Sequence, residues 1–355
     1  MQLSHYLKVY PWEEGSGYFL LFSTKQGSSV LLKEETFRSI ENATLSPSDA
    51  ALLSKLGMIV QDREAEKRTL FGFLDDFNLR NPGLNVTVVL NLDCNFACTY
   101  CYEGDMKGNL YMSETTVAGL LDFIKEKFTE NKKSLLIDFY GGEPLLSTAL
   151  IVSISRAIKP YIESKGGSYR FTLITNGSLF TRRVAEKLVP LGLESVNITI
   201  DGPAEIHDGN RPFKSGAGSF NTIIHNIKDT CDLADIVIGG NYEKHNYEKF
   251  PLLLDYLVNA GLTPGTLRGI KFDPVMKSPE GGHSPSPPKG GCMSIYEPWI
   301  AGAETLLREE ILKRGYNTPK PRPMTCMIES KDAYVVNFDG VFYKCPPSSA
   351  GKDLP

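Results

Sequence analysis

The residues of this 355-residue chain with the most distinctive chemistry are three cysteines in one short loop. Cys94, Cys98 and Cys101 stand with three and then two residues between them, immediately after the apolar run Val86 to Leu92. Three thiolates from a single loop can hold three irons of a 4Fe-4S cluster, which leaves the fourth iron open to bind a substrate directly. Zinc is the plainer alternative. A structural zinc site wants four ligands, usually in two separated pairs, and no fourth Cys or His lies close by in sequence. Buried structural cysteine is the other alternative, but Asn95, Thr99 and Glu103 make the loop too polar for it.

Three further segments have the composition of ligand-facing turns. Tyr140-Gly141-Gly142-Glu143-Pro144 closes a strand-like run, where glycines let backbone approach a ligand closely; an ordinary strand-to-helix turn is the competing reading. Thr175-Asn176-Gly177 and Asp201-Gly202-Pro203 end two later runs. Their hydroxyl, amide and carboxylate groups suit a ligand and equally suit turns in which Asn or Asp caps the next segment. The stretch from Asp201 continues through His207, Asp208 and Arg211 to Gly216, Gly218 and Phe220. His207, Asp208 and Arg211 are candidates for positioning a cofactor or a loop, against a surface salt-bridge cluster. Gly216 and Gly218 are no nucleotide fingerprint, because a third glycine is missing and a phosphate loop belongs after the first strand.

These segments need elements to carry them. β-rich runs near Leu84 to Leu92, Ser134 to Tyr140, Tyr169 to Thr175, Ser195 to Asp201, Asp235 to Asn241 and Gly269 to Val275 alternate with helical patterns near Ser113 to Glu130, Thr148 to Glu163, Thr181 to Leu191, Ser219 to Cys231 and Asn246 to Ala260. Such repetition predicts an α/β fold with a parallel sheet; six strands fit an open partial barrel as well as a doubly wound sheet, and chemistry belongs at the strands' carboxyl ends. Residues 1–61 read as a small α+β module, with strands at Tyr18 to Ser23 and Ser28 to Leu32 and a helix capped by Ser46. Residues 62–83 read as a helical linker and 84–277 as the main domain. A Pro, Gly and Ser-rich loop followed by a long helix fills 278–316, and 317–355 holds a hairpin turning at Asp339-Gly340.

A net charge of -4 lacks the basic excess that nucleic acid demands, and apolar stretches such as Leu252 to Leu262 fall short of the roughly 20 residues of a membrane span. The start lacks a secretory pattern, so a cytoplasmic protein with reduced thiols is expected, and its seven cysteines raise a question of metals or catalysis.

The stretch Leu90-Asn-Leu-Asp-Cys94-Asn-Phe-Ala-Cys98-Thr-Tyr100-Cys101, with its aromatic before the third cysteine, resembles the three-cysteine motif of the radical S-adenosylmethionine superfamily. The resemblance implies a partial (β/α)6 TIM-like barrel, a 4Fe-4S cluster on Cys94, Cys98 and Cys101, and S-adenosyl-L-methionine chelated at the open iron. It implies reductive cleavage to a 5'-deoxyadenosyl radical that abstracts a hydrogen, with the electron coming from a donor such as ferredoxin or flavodoxin. Tyr100, Gly141, Gly142, Glu143, Pro144, Thr175, Asn176 and Asp201 become the implied cofactor-binding residues, the 141–144 backbone with the Glu143 carboxylate receiving the cofactor's ammonium.

The run from Asp201 to Phe220 is similar to the peptide- and protein-modifying branch, from which Gly209 and Asn210 depart. Cys326 and Cys345, separated by thirteen residues, Gly340 and four more, resemble the start of the SPASM extension that carries auxiliary 4Fe-4S clusters. The full extension has more cysteines downstream, so either the chain is a fragment or its auxiliary site is partial, and two reduced thiols on a hairpin is the competing reading. Cys292 is a further candidate ligand, and Cys231 reads as core. The N-terminal module resembles the winged-helix-like element that binds a leader peptide by strand addition, against a purely structural cap. With Ser4-His-Tyr-Leu-Lys-Val-Tyr and Asp62-Arg-Glu-Ala-Glu, the chain looks most like the geopeptide maturases, which implies a cysteine-containing substrate peptide with a leader. A modifier of folded proteins of the sulfatase-maturing type and a non-catalytic iron-sulfur or zinc carrier are the rivals.

Overall fold

In the computed structural model, which describes residues 1–13, 15–101, 103–275, 297–319 and 326–345, alternating residues early in the chain fold as expected into strands and short helices. They are β1 (Gln2–Leu3), β2 (Leu7–Pro11), β3 (Tyr18–Ser23), β4 (Ser29–Lys33), α1 (Glu34–Glu41), α2 (Pro47–Lys55), β5 (Ile59–Val60) and α3 (Arg63–Arg80). β2, β3 and β4 form an antiparallel sheet and β1 pairs with β5. Leu21, Ile40, Leu53, Met58 and Ile59 make the core beneath them. Ser46 caps α2 by accepting from Asp49 N, as its residue type predicts.

One compact unit holds Met1–Asn81 together with Lys320–Lys331, of which 326–331 are described. The helix expected as a linker therefore belongs with the module. Its Glu66 carboxylate is buried and accepts from Ser4 Oγ at 2.7 Å, His5 N at 3.1 Å and Lys25 Nζ at 2.6 Å, which binds the first turn of α3 to the sheet.

The second unit contains β6 (Gly83–Val89), α4 (Glu114–Lys127), β7 (Ser134–Tyr140), α5 (Thr148–Ser164), β8 (Ser168–Thr175), α6 (Arg182–Leu188), β9 (Leu193–Thr199), α7 (Ala204–Asn210), α8 (Phe220–Thr230), β10 (Asp235–Tyr242), α9 (Phe250–Asn259), β11 (Gly269–Pro274), α10 (Pro298–Lys313), β12 (Ala333–Val336) and β13 (Phe342–Tyr343). Strands β6 to β11 are parallel and lie side by side in chain order. A doubly wound sheet reverses its order at a switch point; this one never does, so the winding is that of a partial barrel.

Residue chemistry follows the winding. Along β7 the helix-facing Leu135, Ile137 and Phe139 are buried, while Leu136, Asp138 and Tyr140 on the concave face are half-exposed. α5, with the short turn before it, is by length and mean hydropathy apolar enough to cross a membrane, which the sequence reading did not foresee. Here it buries Ile151, Ile154, Ile158 and Ile162 in the barrel core.

The C-terminal hairpin also departs from expectation. β12 does not stand apart; it pairs in parallel with β6 from Ala333 opposite Asn85 to Val336 opposite Val88, and β13 folds back on it. The Lys132 ammonium is ion-paired with Asp332 at the start of this added edge. The expected loop of 278–291, Cys292 and the tail after 345 lie outside the described residues.

Candidate active site

The cysteine loop leaves the carboxyl end of β6 and is fixed by backbone pairing on two sides. On one side Leu92 N donates to Leu110 O and Met112 N to Leu90 O, so the chain closes on itself between 92 and 110. On the other, Ala97 N donates to Pro212 O, Thr99 N to Asn210 O and Lys214 N to Asn95 O, while Phe96 and Phe213 meet edge to face at 4.9 Å. Cys94 is buried, and Cys98 and Cys101 are half-buried.

The glycine segment after β7 packs against this loop. A Cβ on Gly142 would lie 2.2 Å from Asp93 O, and one on Gly141, whose φ is +136°, would lie 2.4 Å from Asn91 O. The close approach inferred from the glycines is thus made to the cysteine loop's own backbone. Glu143 is fully buried; its carboxylate accepts from Leu145 N at 2.9 Å, Thr175 Oγ1 at 2.7 Å and Asn176 N at 2.8 Å. It braces the ends of β7 and β8 and opens the turn that begins at Pro144. Asn176 donates through Nδ2 to Asn95 Oδ1 at 2.8 Å and reaches Cys94 Sγ at 3.9 Å, so the end of β8 touches the first cysteine.

Tyr100 sits at the centre of a buried polar network. Its hydroxyl donates to Asp201 Oδ2 and accepts from Arg211 Nη1 at 2.7 Å and Asn241 Nδ2 at 3.0 Å. Asn241 N in turn donates to Asp201 Oδ1 at 2.7 Å. Burial raises the pKa of Tyr100 and of Asp201, with Arg211 opposing both shifts. His207 Nδ1 accepts from Asp201 N at 3.1 Å and its Nε2 meets Ser219 Oγ at 3.0 Å; burial lowers its pKa to about 3, so the ring is neutral. Asp208 Oδ1 accepts from Ser219 N and Phe220 N and caps α8. His207 is 0% and Arg211 9% exposed, which removes the surface salt-bridge reading.

Sequence reasoning missed Lys107. Its side chain is half-buried on the return from Cys101, and although burial opposes its charge, the nearby cysteines raise its pKa. Burial likewise pushes the Cys94 thiol up to about 11 and raises Cys98. Such thiols ionise when a metal replaces the proton. A lysine whose charge the three cysteines favour, with Arg211 Nε buried and unpartnered among the described residues, is an environment that a thiolate-bound anionic cluster fits. Among the described residues no three His, Cys, Asp or Glu side chains converge as a single ion requires. That is the demand of a zinc centre, whereas an iron-sulfur cube spreads its ligands further apart. Cys326 is exposed at the start of a short turn, Cys345 is buried just after β13, and Cys231 is half-buried against the barrel core.

Comparison with known proteins agrees with this geometry. Residues 88–256 match the radical SAM superfamily. An uncharacterized protein of Methanocaldococcus jannaschii, MJ0907, is 28% identical, over 71% of this chain and 81% of its own length. The radical SAM cyclopropyl synthase TigE of Paramaledivibacter caminithermalis is 21% identical over 66% of this chain, which spans only 52% of TigE. The crystal structure of Streptococcus suis SuiB bound to its precursor peptide SuiA superposes with a TM-score of 0.55 at 12% identity, covering 99% of this chain and 85% of SuiB, a likeness of fold. Other similar sequences are named as GTP 3',8-cyclase and Fe-coproporphyrin III synthase, so similarity alone does not select a substrate. Residues 88–256, with the three-cysteine loop at the mouth of a sequentially wound six-stranded barrel, form a radical SAM domain, of a family that uses a 4Fe-4S cluster and S-adenosylmethionine.

Proposed function

We propose that this protein is a peptide maturase that abstracts a hydrogen atom from a ribosomally made peptide docked through the N-terminal module. The bound cofactors supply the carbon radical; the chain's own task is to hold the cysteine loop, exclude water and present the peptide. Cys94, Cys98 and Cys101 are the cluster ligands in this reading, and the backbone of 141–144, with Thr175, Asn176 and Asp201 behind it, forms the wall beside them. Cys326 and Cys345 are read as auxiliary-cluster ligands.

The observation that carries the peptide reading is the three-stranded sheet of the N-terminal module, whose outer strands have no strand partner among the described residues on their far sides. On β2, Trp12 N donates to Tyr18 O and Thr24 N donates to Tyr6 O. Even-numbered residues therefore bond β3, and Val9 turns its N–H group outward, where an added strand can use it, while Leu7 N already donates to Ser4 O at 3.4 Å. Val9→Pro removes one outward donor and leaves the β3 pairing in place. A precursor peptide encoded beside the gene should bind the full chain more weakly after this change, measured by fluorescence anisotropy. Unchanged affinity for a peptide that the enzyme does modify would set the module's role aside and leave a small-molecule or folded-protein substrate as the better reading.

A further inference from the structure

We infer that the outer face of the N-terminal module's three-stranded sheet reads side chains of the docked peptide, selecting the pattern apolar-x-apolar-x-acidic along a strand added beside β2. The inference rests on the peptide reading above and deepens it from main-chain pairing to sequence.

An antiparallel sheet with one face in water normally turns apolar residues inward and polar residues outward. This sheet is apolar on both sides. Its inner face is closed by the module's core, in which Leu21 is buried and against which Val9, Phe19 and Leu32 pack. The residues between them point to the other face, where the register sets Tyr10 opposite Leu20, Leu20 opposite Leu31 and, in the next row, Lys8 opposite Phe22. Trp12 N donates to Tyr18 O and carries the same alternation one step past β2. Tyr10 and Trp12 are each 51% exposed, Leu31 is 43% and Phe22 37% exposed. A contiguous apolar patch rimmed by charge marks an interaction site. Lys8 and Lys33 lie at opposite ends of this face, and β2, β3 and β4 contain no acidic residue. Stacking two copies of the face would bring lysines together with no carboxylate from these strands between them, whereas an acidic partner complements it.

The outward N–H of Val9 fixes how an added antiparallel strand would sit, because the residue opposite Val9 exchanges main-chain bonds with it. The residues opposite Lys8 and Tyr10 then occupy the closely spaced positions of the ladder, with Cα atoms about 4.5 Å apart. Their side chains fall on the outer face and extend its rows. Directly opposed apolar groups and opposite charges stabilise such a pairing, and like charges oppose it. Apolar residues beside Trp12 and Tyr10 and an acidic one beside Lys8 give, in the peptide's own direction, apolar-x-apolar-x-acidic.

The test measures binding of labelled synthetic peptides to the full chain by fluorescence anisotropy. One peptide carries Phe-Thr-Leu-Thr-Asp, a second has the same residues in an order that breaks the alternation, and a third has lysine in place of the aspartate. The first should bind about tenfold more tightly than the second. Lys8→Glu should weaken binding of the first about three- to tenfold and strengthen binding of the third, and Tyr10→Thr should weaken the first by about the same factor. Equal binding of the first and second peptides, or binding of neither, overturns the inference. If Val9→Pro weakens all three while Lys8→Glu and Tyr10→Thr leave them unchanged, strand addition stands on main-chain bonds alone and the side-chain reading falls. If the chain without peptide self-associates in sedimentation velocity and Tyr10→Lys abolishes this, the face belongs to a second copy, and the inference falls.

Discussion

Replacing Gly142 by alanine tests whether the glycine segment serves the cysteine loop or a ligand. The new Cβ would sit 2.2 Å from Asp93 O and 2.7 Å from Asp93 C, both backbone atoms that cannot swing aside. Real Cβ contacts do not fall below 3.0 Å, so the loop and the end of β7 must part by roughly 0.8 Å. The same Asp93 oxygen accepts from Glu143 N at 2.7 Å. That separation stretches this bond to about 3.5 Å, the limit of hydrogen bonding. Losing a buried hydrogen bond costs about 1–3 kcal/mol, and overpacking adds about 1–3 kcal/mol. At about 2–4 °C per kcal/mol for a domain of this size, a cost near 3 kcal/mol lowers the Tm of the metal-free protein by roughly 6–12 °C. Because the displaced atoms flank Cys94, iron per chain after anaerobic reconstitution should drop as well. Gly119→Ala is the control. It lies in α4 with nothing within 4 Å of its Cβ, and should be neutral or stabilising by about 0.5–1 kcal/mol. If Gly142→Ala keeps both the Tm and the iron content of the wild type, the bracing role is wrong and the glycines answer to a ligand instead.

Tyr100→Phe deletes the hydroxyl shared by Asp201, Arg211 and Asn241; it should cost about 1–3 kcal/mol, read as a lower urea midpoint at unchanged slope. For His207, held near 3 against an ordinary 6.5, the unfolded chain binds a proton that the folded chain refuses between those values. Stability present above pH 6.5 should therefore fall on acidification through that window, by ~3–5 kcal/mol, and His207→Gln should flatten this slope in urea titrations taken at successive pH values. Lys132→Met leaves Asp332 unpaired beside the edge where β12 joins β6, and amide exchange at Val335 and Val336 should quicken relative to β7 and β8. Asp208→Ala removes the cap of α8 and should cost about 1–2 kcal/mol in the same urea assay.

What could be read from sequence, and what could not, divides along a physical line. The six parallel strands were legible because each is a short apolar run between amphipathic ones, and the cysteines because ligand spacing within one loop is a local property. Their winding was not legible, since alternation of strand and helix is common to a barrel and a doubly wound sheet and only the neighbour order separates them. β12 and β13 form the hairpin that was read, but its joining the sheet was not legible: the second partner of β12, β6, lies about 250 residues earlier, and no local pattern records such a pairing. The same limit explains Lys107, whose reach to the cysteines depends on backbone pairing between 90–92 and 110–112, among residues of no special type.

The chemistry-bearing motifs teach a narrower lesson. Gly142, Glu143, Asp208 and His207 have the residue types of a ligand site, and each spends its capacity on the chain itself: a close approach to Asp93, three accepted hydrogen bonds, a helix cap, and two bonds from a neutral ring. A buried group whose bonds are already made has little left to offer a ligand, because taking up a new partner means abandoning an old one at a cost of about 1–3 kcal/mol. Beside the loop, capacity in reserve lies with the three thiols and with the Nε of Arg211, which has no partner among the described residues. The surrounding motif is the frame that keeps those few atoms within reach of one another, so its variants should lose cluster and stability together.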